Sequence, residues 1–381
     1  MLLKQISISN FRNLKRVELQ FHETLNVLHG ANGQGKSNIL EAIFYLVTGR
    51  SFRSHLDSAA LPHELEREGI VRIEGLVTRA DGGRNRLAVA LGQNIKRIWI
   101  DDKPVGQLGG LWGRLRAVLF TPDDLNILKR GPATRRRLID IAVSQIDPGY
   151  LSALQNYTQA LRQRNALLRN ESGDSTQLRD QAAAFNRPLA QWAAAIHTVR
   201  ARFVAELSSA AGELYAQMTP NGERLSVQYL DAFKDEPLDD ASQAEERLLQ
   251  LFDASLTQDL RRRQTMRGVH REDLRVALDD HDIRHFGSQG QQRTAMLAVR
   301  LAELELMNKW SGEAPILLLD DLASELDADR RALLLELIQG RAQTMLTTTD
   351  LSLVGASQAN AQLFPIQNGA IVTDSDSPAT D

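Results

Sequence analysis

The sequence predicts an α/β fold whose two parts are separated by a mainly helical insert. Residues 1–125 and 267–373 carry strand patterns and glycine-rich turns, whereas residues 126–266 carry long helical patterns rich in Ala, Gln, Leu and Arg. Residues 374–381 are polar and acidic, which predicts a disordered tail. The chain has 381 residues, 43% of them hydrophobic and 24% charged, which is enough apolar material for a globular core in two or three domains.

The first part is predicted to form mostly strands. Alternating or continuous apolar residues predict strands over residues 6–11, 17–21, 24–28, 70–76, 87–91, 98–100 and 116–120. Apolar residues at helical spacing follow Lys36 and predict a helix that ends at Gly49.

A glycine-rich run lies between the strand over 24–28 and this helix. It reads Gly30-Ala31-Asn32-Gly33-Gln34-Gly35-Lys36-Ser37-Asn38, the full pattern of a phosphate-binding loop in the strand, loop, helix order that such a loop requires. Its glycines permit the turn that points backbone N–H groups at phosphates. Lys36 would reach the β- and γ-phosphates, and the Ser37 hydroxyl would ligate Mg²⁺. A turn kept for packing alone is the alternative, but the loop predicts a bound nucleoside triphosphate.

Helices dominate the insert. Helical patterns run from about residue 134 to 218 with a break at 170–174, and another helix is predicted over 241–266. A strand over 225–229 separates them, and a strand over 274–278 follows the insert. Heptads do not persist, so the pattern does not predict an extended coiled coil.

The second half of the predicted site is an apolar run over residues 315–319 that ends in Asp320 and Asp321. This pattern is typical of a buried parallel strand that delivers carboxylates to the sheet edge where ligands bind. Asp320 would hold Mg²⁺, and Asp321 would orient or deprotonate the attacking water. A solvated acidic turn is the alternative if the pair is considered without the phosphate loop.

A third segment, residues 286–293, reads Phe-Gly-Ser-Gln-Gly-Gln-Gln-Arg, and helical apolar spacing begins just after it. Ser288 stands where an N-cap belongs, and Gly290 leaves backbone N–H groups open to an anion. Capping alone would account for Ser288, but a cap does not require Gly and Gln residues at these spacings.

Composition limits the kinds of partner. The formal net charge of −3 means that nucleic-acid contacts must come from local patches, of which two qualify. These patches are Lys129 and Arg130 with Arg135, Arg136 and Arg137, and Arg261, Arg262 and Arg263 with Arg267, His270 and Arg271. A solvated or salt-bridged helix face is the alternative for each. The sequence contains no cysteine, no apolar run long enough to span a membrane and no signal-peptide pattern, which favours the cytoplasm.

These motifs together resemble the ABC-type ATPase heads of the SMC class, and most closely the RecF family of bacterial recombinational-repair proteins. The resemblance rests on the phosphate loop and on residues 10–14, 122–140, 268–274, 288–292 and 318–334. It implies an ABC-type, SMC-like P-loop ATPase head with a helical arm.

In such heads, the signature segment of one subunit closes over the nucleotide of another. The resemblance therefore implies that Ser288, Gly290 and Gln291 contact ATP held by Lys36 of a second copy. It assigns the D-loop at the dimer seam to Ser324, Glu325 and Asp327.

The resemblance also implies that Arg12 reaches the phosphate region and that Asn32 faces the γ-phosphate, although a surface salt bridge is the alternative for Arg12. Asp321 stands where most ABC ATPases have Glu, and the strand over 116–120 is not followed by the usual Gln, so Thr121, Asp123 or Asp124 would have to replace it. These departures predict slow turnover, suited to a switch.

The function that the resemblance implies is an ATP-dependent protein of recombinational repair. It would dimerise on ATP, bind double-stranded DNA near gaps or junctions, hydrolyse ATP slowly with DNA stimulation, and assist recombinase loading. Expected partners are RecR and, indirectly, RecO and RecA. An SMC-like DNA tether is the alternative, but an insert of roughly 150 residues is too short for a long arm. A transporter subunit would require the missing Gln and a switch His.

Overall fold

The computed structural model describes residues 1–54, 56–62, 69–92, 95–106, 108–169, 175–219, 222–231, 233, 240–321 and 326–372. The chain divides into two compact units, Met1–Asp124 with Glu303–Asp381 and Leu125–Ala302. The insert expected over residues 126–266 falls inside the second unit, which continues to Ala302. Residues beyond 266 stay in the second unit because the strand that follows pairs with a strand of the insert. The predicted acidic tail lies outside the described residues.

The first unit contains an antiparallel and a mainly parallel sheet. The antiparallel sheet contains β1 (Leu2–Phe11), β2 (Leu14–Gln20), β4 (Val71–Thr78), β5 (Arg84–Leu91), β6 (Lys96–Ile100) and β7 (Lys103–Val105), in the order β2-β1-β4-β5-β6-β7. The second sheet contains β3 (Leu25–His29), β8 (Ala117–Phe120), β12 (Ile316–Leu319), β13 (Thr344–Thr348), β14 (Ala361–Gln367) and β15 (Ala370–Ile371), in the order β15-β14-β3-β13-β12-β8. All its strands are parallel except β15, which forms a hairpin with β14.

Helix α1 (Lys36–Thr48) packs against strands of both sheets. Its apolar side chains are buried all round, as expected for a helix between two layers. It ends where the sequence predicts, at Gly49, which adopts a left-handed φ of 67° and donates its N–H to the Tyr45 carbonyl over 2.8 Å. The helix therefore joins the two sheets and fixes the position of the loop that precedes it.

The second unit is mainly helical, as predicted. Its helices are α2 (Asp124–Lys129), α3 (Pro132–Ile146), α4 (Pro148–Arg169), α5 (Ser175–Ala183), α6 (Asn186–Met218), α7 (Ala241–Arg262), α8 (Ile283–Phe286) and α9 (Gln289–Ser311), of which α2 begins and α9 ends in the first unit. A three-stranded sheet contains β9 (Leu225–Leu230), β10 (Asp273–Leu278) and β11 (His281–Asp282). In the first unit, α10 (Ala328–Ile338) precedes β13.

Arg164 and Arg200 are buried in the helical unit with their charges paired. Arg164 is 0% exposed, and its Nη1 donates to Oδ2 of Asp259 and to Oγ1 of Thr265, each over 2.7 Å. Arg200 pairs with Asp140, and its Nη1 also donates to the Val269 carbonyl over 2.9 Å. Because each guanidinium bonds both a helix carboxylate and the segment between α7 and β10, the two pairs fix that segment on the helices.

In the part of the chain that the structure describes, no helix has both the length and the apolar character needed to cross a bilayer.

Candidate active site

The predicted phosphate and metal ligands lie at one edge of the parallel sheet. In the strand register, Thr348 at the end of β13 faces His29 at the end of β3, and Leu319 at the end of β12 faces Phe120. The glycine-rich loop follows β3, and Asp320 follows β12, so parallel pairing brings both to the same edge. This arrangement is the one that the sequence predicts for a ligand site.

The glycine-rich loop has the conformation that its glycines permit. Gly30, Gly33 and Gly35 have φ values of 144°, 79° and 108°, in the region that favours glycine. At Gly30, an added Cβ would lie 2.3 Å from the Ile366 carbonyl oxygen, so a side chain there would collide with β14. Ala31, Asn32 and Gly33 are exposed, which leaves the crest of the loop open to a ligand.

Lys36 begins α1 and folds back over the loop. Its Nζ donates to the carbonyl oxygens of Gly30 and Ala31 over 2.7 and 2.8 Å. Burial lowers the pKa of Lys36, whereas Asp321 and Asp320 act in the opposite direction. Burial and the charge of Lys36 also lower the pKa of His29. The Lys36 ammonium group therefore lies within electrostatic reach of Asp320 and Asp321, the two carboxylates that the sequence predicts as its neighbours.

The two acidic residues after β12 are held by Thr347 on the neighbouring strand. Thr347 is 0% exposed; its Oγ1 donates to Oδ1 of Asp320 over 2.9 Å and accepts the N–H of Asp321 over 2.8 Å. Asp320 is 5% exposed. Asp321 has a left-handed φ of 48°. A single hydroxyl thus sets the positions of both residues.

Arg53 is a part of the site that the sequence reasoning missed. Its Nη2 lies 3.3 Å from Oδ2 of Asp320, and its Nη1 donates to Oδ1 of Asn38 over 2.9 Å. Because Oδ1 of Asp320 is held by Thr347, Oδ2 is the oxygen turned towards a cation. Oδ2 of Asp320 and the half-buried Ser37 supply oxygen atoms of the kind that Mg²⁺ prefers, and the binding of a metal ion by them stays a prediction.

Arg12 lies beside the loop but faces α1. Its Nε and Nη2 donate to Oε2 and Oε1 of Glu41 over 2.6 and 2.7 Å, and Glu41 is 0% exposed. The Ser51 hydroxyl also donates to Glu41. Arg12 is thus in an internal ion pair, and its expected reach to the phosphates stays a prediction.

The signature segment begins α9 with a capping box. The Ser288 N–H donates to Oε1 of Gln291 over 2.7 Å, and the Gln291 N–H donates to Oγ of Ser288 over 3.2 Å. Capping thus accounts for Ser288 in this chain, and Ser288 remains exposed. Gln291 is also bonded to Glu223 over 2.7 Å, so its predicted contact with ATP would have to use other atoms or a changed geometry.

The remaining predicted positions differ in their surroundings. Asp327 caps α10 by accepting the Arg330 N–H over 2.9 Å, whereas Ser324 and Glu325 lie outside the described residues. Of the residues expected to replace the missing Gln, Asp124 accepts the Thr121 N–H over 2.7 Å, which fixes the turn after β8.

The basic run on α3 is largely turned inwards. Arg135 is 3% exposed and forms a two-pronged ion pair with Asp273, with both N–O distances 2.7 Å. Arg136 donates to the Glu272 carbonyl, and Arg137 is half-buried. Arg135 thus lies in an internal ion pair that exposure would break, and its expected contact with DNA stays a prediction.

The second basic stretch is exposed. Arg261, Arg262 and Arg263 end α7 with exposed side chains, and Arg267 and Arg271 of the following segment are exposed as well. This segment is the one that Arg164 and Arg200 fix from inside the unit.

Comparison with known proteins agrees with this geometry. The family described as RecF/RecN/SMC N terminal domain matches residues 2–372. The DNA replication and repair protein RecF of Ruminiclostridium cellulolyticum is 38% identical over 373 residues, which cover 97% of this chain and 99% of that protein. The chain belongs to the RecF family. A second RecF, from Macrococcus caseolyticus, is 36% identical over 98% of this chain and 100% of its own length.

Solved RecF structures have the same fold. The recombination mediator protein RecF with ATP, of the RecFOR pathway, superposes with a TM-score of 0.87 at 34% identity, over 97% of this chain and 98% of that one. An SMC head bound to the C-winged helix domain of ScpA superposes with a TM-score of 0.56 at 15% identity, a likeness of fold alone. The predicted SMC-like ABC ATPase head is thus confirmed.

Proposed function

We propose that this protein is an ATP-dependent DNA-binding protein of recombinational repair. The observation that carries the proposal is the meeting, at one sheet edge, of the Lys36 loop with Asp320 and Asp321 in a chain of the RecF family. The RecF structure with ATP, of the RecFOR pathway, supports ATP as the nucleotide.

The chemistry at this edge follows from the residue types. Backbone N–H groups of residues 33–37 and Lys36 bind the phosphates, while Ser37 and Oδ2 of Asp320 would hold Mg²⁺, which would supply positive charge to the phosphates. A metal ion on Oδ2 of Asp320 would compete with the Arg53 contact to the same oxygen. Asp321 orients the attacking water, and its short side chain makes hydrolysis slow. DNA binding raises that slow rate, so the nucleotide acts as a switch.

The second half of each site comes from another copy of the chain. Ser288 and Gly290, at the exposed start of α9, contact the γ-phosphate held by Lys36 of the second copy. Bound ATP then joins two incomplete half-sites, and hydrolysis removes the γ-phosphate that holds them together. Ser324, Glu325 and Asp327 form the D-loop at the seam.

The dimer binds double-stranded DNA near gaps by contacting the phosphates of the DNA backbone. Arg261, Arg262 and Arg263 make backbone contacts, so the affinity falls steeply with salt and shows little base preference. RecR, and through it RecO and RecA, are the proposed protein partners in recombinase loading, since the similar RecF structures belong to the RecFOR pathway. The chain carries out this work in the cytoplasm.

Light scattering with and without ATP, repeated with a gapped duplex, tests the dimer. The parent protein is expected to double its mass with ATP. Ser288→Arg should retain ATP affinity but stay monomeric, because the larger side chain enters the seam. Ser242→Arg, a change at another exposed serine in the first turn of a helix, provides the control. ATP-driven dimers of the Ser288 variant would refute the proposal that this residue acts across the seam.

Equilibrium binding of ATP tests the nucleotide site. Lys36→Met removes the ammonium group from the loop and should weaken ATP binding by about tenfold or more, because each lost charged hydrogen bond to a phosphate is worth about 1.5–3 kcal/mol. Retained affinity would refute the assignment of the loop.

A further inference from the structure

A turn between β14 and β15 contacts the glycine-rich loop at Gln34. The turn residues Asn368 and Gly369 have left-handed φ values of 50° and 74°, as in the tight hairpins that Asn-Gly pairs form. The N–H of Asn368 donates to Oε1 of Gln34 over 2.5 Å, and the N–H of Gly369 donates to the Gln34 carbonyl over 2.9 Å. Two consecutive amides thus bond both the side chain and the backbone of one loop residue.

The turn between β1 and β2 contacts the same loop. Nδ2 of Asn13 donates to the Gly33 carbonyl over 3.3 Å, and Oδ1 of Asn13 accepts from Asn38 over 2.7 Å. The side chain of Asn13 therefore bridges the loop to the first turn of α1.

The β14–β15 turn and the β1–β2 turn also contact each other closely. A Cβ added at Gly369 would lie 2.2 Å from the Asn13 carbonyl oxygen and 3.0 Å from its carbon, both backbone atoms. The backbone would therefore have to shift to accept any side chain. A shift at Gly369 would displace the Asn13 turn, the Gln34 hydrogen bonds, or both.

We propose that the β14–β15 hairpin positions the glycine-rich loop for phosphate binding, with Gly369 and Gln34 as positioning residues. The proposal rests on the proposed binding of a triphosphate by the loop. Binding requires several loop N–H groups to converge on the same phosphate oxygens, and a loop that samples other conformations must first be ordered. The hairpin supplies that order before the nucleotide arrives.

Gly369→Ala tests the proposal, with Gly340→Ala as a matched control. Gly340 has a similar φ of 72°, but an added Cβ there meets no atom within 4 Å. Both variants therefore carry the same backbone strain, but only Gly369→Ala brings a Cβ into collision with Asn13. We expect the ATP dissociation constant to rise by about tenfold in Gly369→Ala and to stay within about twofold of the parent in Gly340→Ala.

Hydrogen exchange in the absence of nucleotide gives a second measurement that a general loss of stability would not reproduce. Amides of residues 30–37 should exchange faster in Gly369→Ala than in Gly340→Ala when the two are compared at equal distance below their melting temperatures. Gln34→Leu removes the side-chain acceptor and no backbone group. It should also raise the ATP dissociation constant and speed the exchange of these amides, and it replaces Gly369→Ala as the test variant if that variant does not fold.

The outcomes separate this inference from the proposed function. Equal ATP affinity and equal exchange in Gly369→Ala, Gln34→Leu and the parent would overturn the role of the hairpin while leaving ATP binding intact. A parent protein that does not bind ATP would instead overturn the proposed function.

Discussion

Thr347 donates its hydroxyl hydrogen to Oδ1 of Asp320 over 2.9 Å, from the neighbouring strand of the parallel sheet. The hydroxyl oxygen of Thr347 also accepts the N–H of Asp321 over 2.8 Å. One side chain therefore controls which oxygen of Asp320 faces a cation and how the backbone leaves the strand at Asp321.

Thr347→Val removes this hydroxyl while keeping a β-branched side chain of similar shape. Oδ1 of Asp320 and the part-buried N–H of Asp321 lose their partner, and leaving the buried carboxylate oxygen unpaired costs about 1–3 kcal/mol. We expect ATP hydrolysis to fall by about tenfold or more, with a higher Mg²⁺ requirement, as measured in steady-state assays over a magnesium titration.

Thr344→Val is the control for this change. Thr344 is 2% exposed at the other end of the same strand, and its hydroxyl donates to the Ala342 carbonyl over 3.3 Å. Equal losses in the two variants would mean that Thr347 acts through stability of the strand and not through the carboxylates.

Asp321→Asn is expected to stop hydrolysis while preserving the fold. Asn adopts left-handed backbone conformations as readily as Asp, so the φ of 48° stays available, whereas the amide cannot accept a proton from water. The ATP-bound dimer should persist for much longer than in the parent, as followed by light scattering after ATP addition. Asp102→Asn, at an exposed turn with a φ of 62°, should behave as the parent. Hydrolysis at the parent rate would show that another group handles the water.

Arg164→Met should destabilise the helical unit strongly. The change leaves Asp259, itself 0% exposed, without its cation, and breaking a buried pair from one side costs about 3–5 kcal/mol. The free energy of unfolding in urea measures the loss. Arg162→Met, at an exposed position on the same helix, should change it by no more than about 0.5 kcal/mol. Similar values for the two variants would contradict the account of the buried pair.

His270 makes the helical unit sensitive to acid. Burial lowers its pKa to about 4, below the ordinary 6.5. Its Nε2 faces the Thr265 carbonyl over 3.1 Å and its Nδ1 faces the Tyr157 hydroxyl over 2.6 Å, a setting that fits the neutral ring. The unfolded chain therefore binds the proton first as the pH falls. The stabilisation is complete above pH 6.5 and is lost between about pH 6.5 and 4, with a total of about 3 kcal/mol.

His270→Gln tests this dependence because Gln supplies an acceptor and a donor without titrating. The free energy of unfolding should fall less steeply between pH 6.5 and 4 than in the parent, as measured by urea unfolding at several pH values. His285→Gln, at an exposed histidine, should keep the parent slope. An unchanged slope in the His270 variant would show that other groups dominate acid unfolding.

Local patterns predicted the elements of the nucleotide site, because its parts are strand ends and a glycine-rich turn. The apolar run before Asp320 and the helix ending at Gly49 are readable from neighbouring residues alone. Contacts between distant segments were not readable in this way. Arg53 and Asp320 are 267 positions apart, and no pattern around Arg53 distinguishes it from other arginines. The Asn368-Gly369 pair is a recognisable hairpin signal, but its contact with Gln34 depends on tertiary structure.

The basic run on α3 shows why charge in sequence does not predict charge at the surface. Consecutive helical residues point about 100° apart, so Arg135, Arg136 and Arg137 cannot share one face. The fold turns Arg135 inwards to Asp273 and leaves Arg137 half-buried. The run at the end of α7 differs, since the side chains of Arg261, Arg262 and Arg263 are all exposed.

The exposed arginines at the end of α7 and just after it also limit how many counterions DNA binding can release. Five of them, Arg261, Arg262, Arg263, Arg267 and Arg271, lie on one segment that is fixed from inside. If this segment alone meets duplex DNA, each protomer displaces at most about five condensed cations, and the logarithm of the binding constant falls against that of the salt concentration with a slope of about −4.5. A dimer that engages both copies doubles this slope. The salt dependence of DNA binding therefore counts how many protomers hold the duplex.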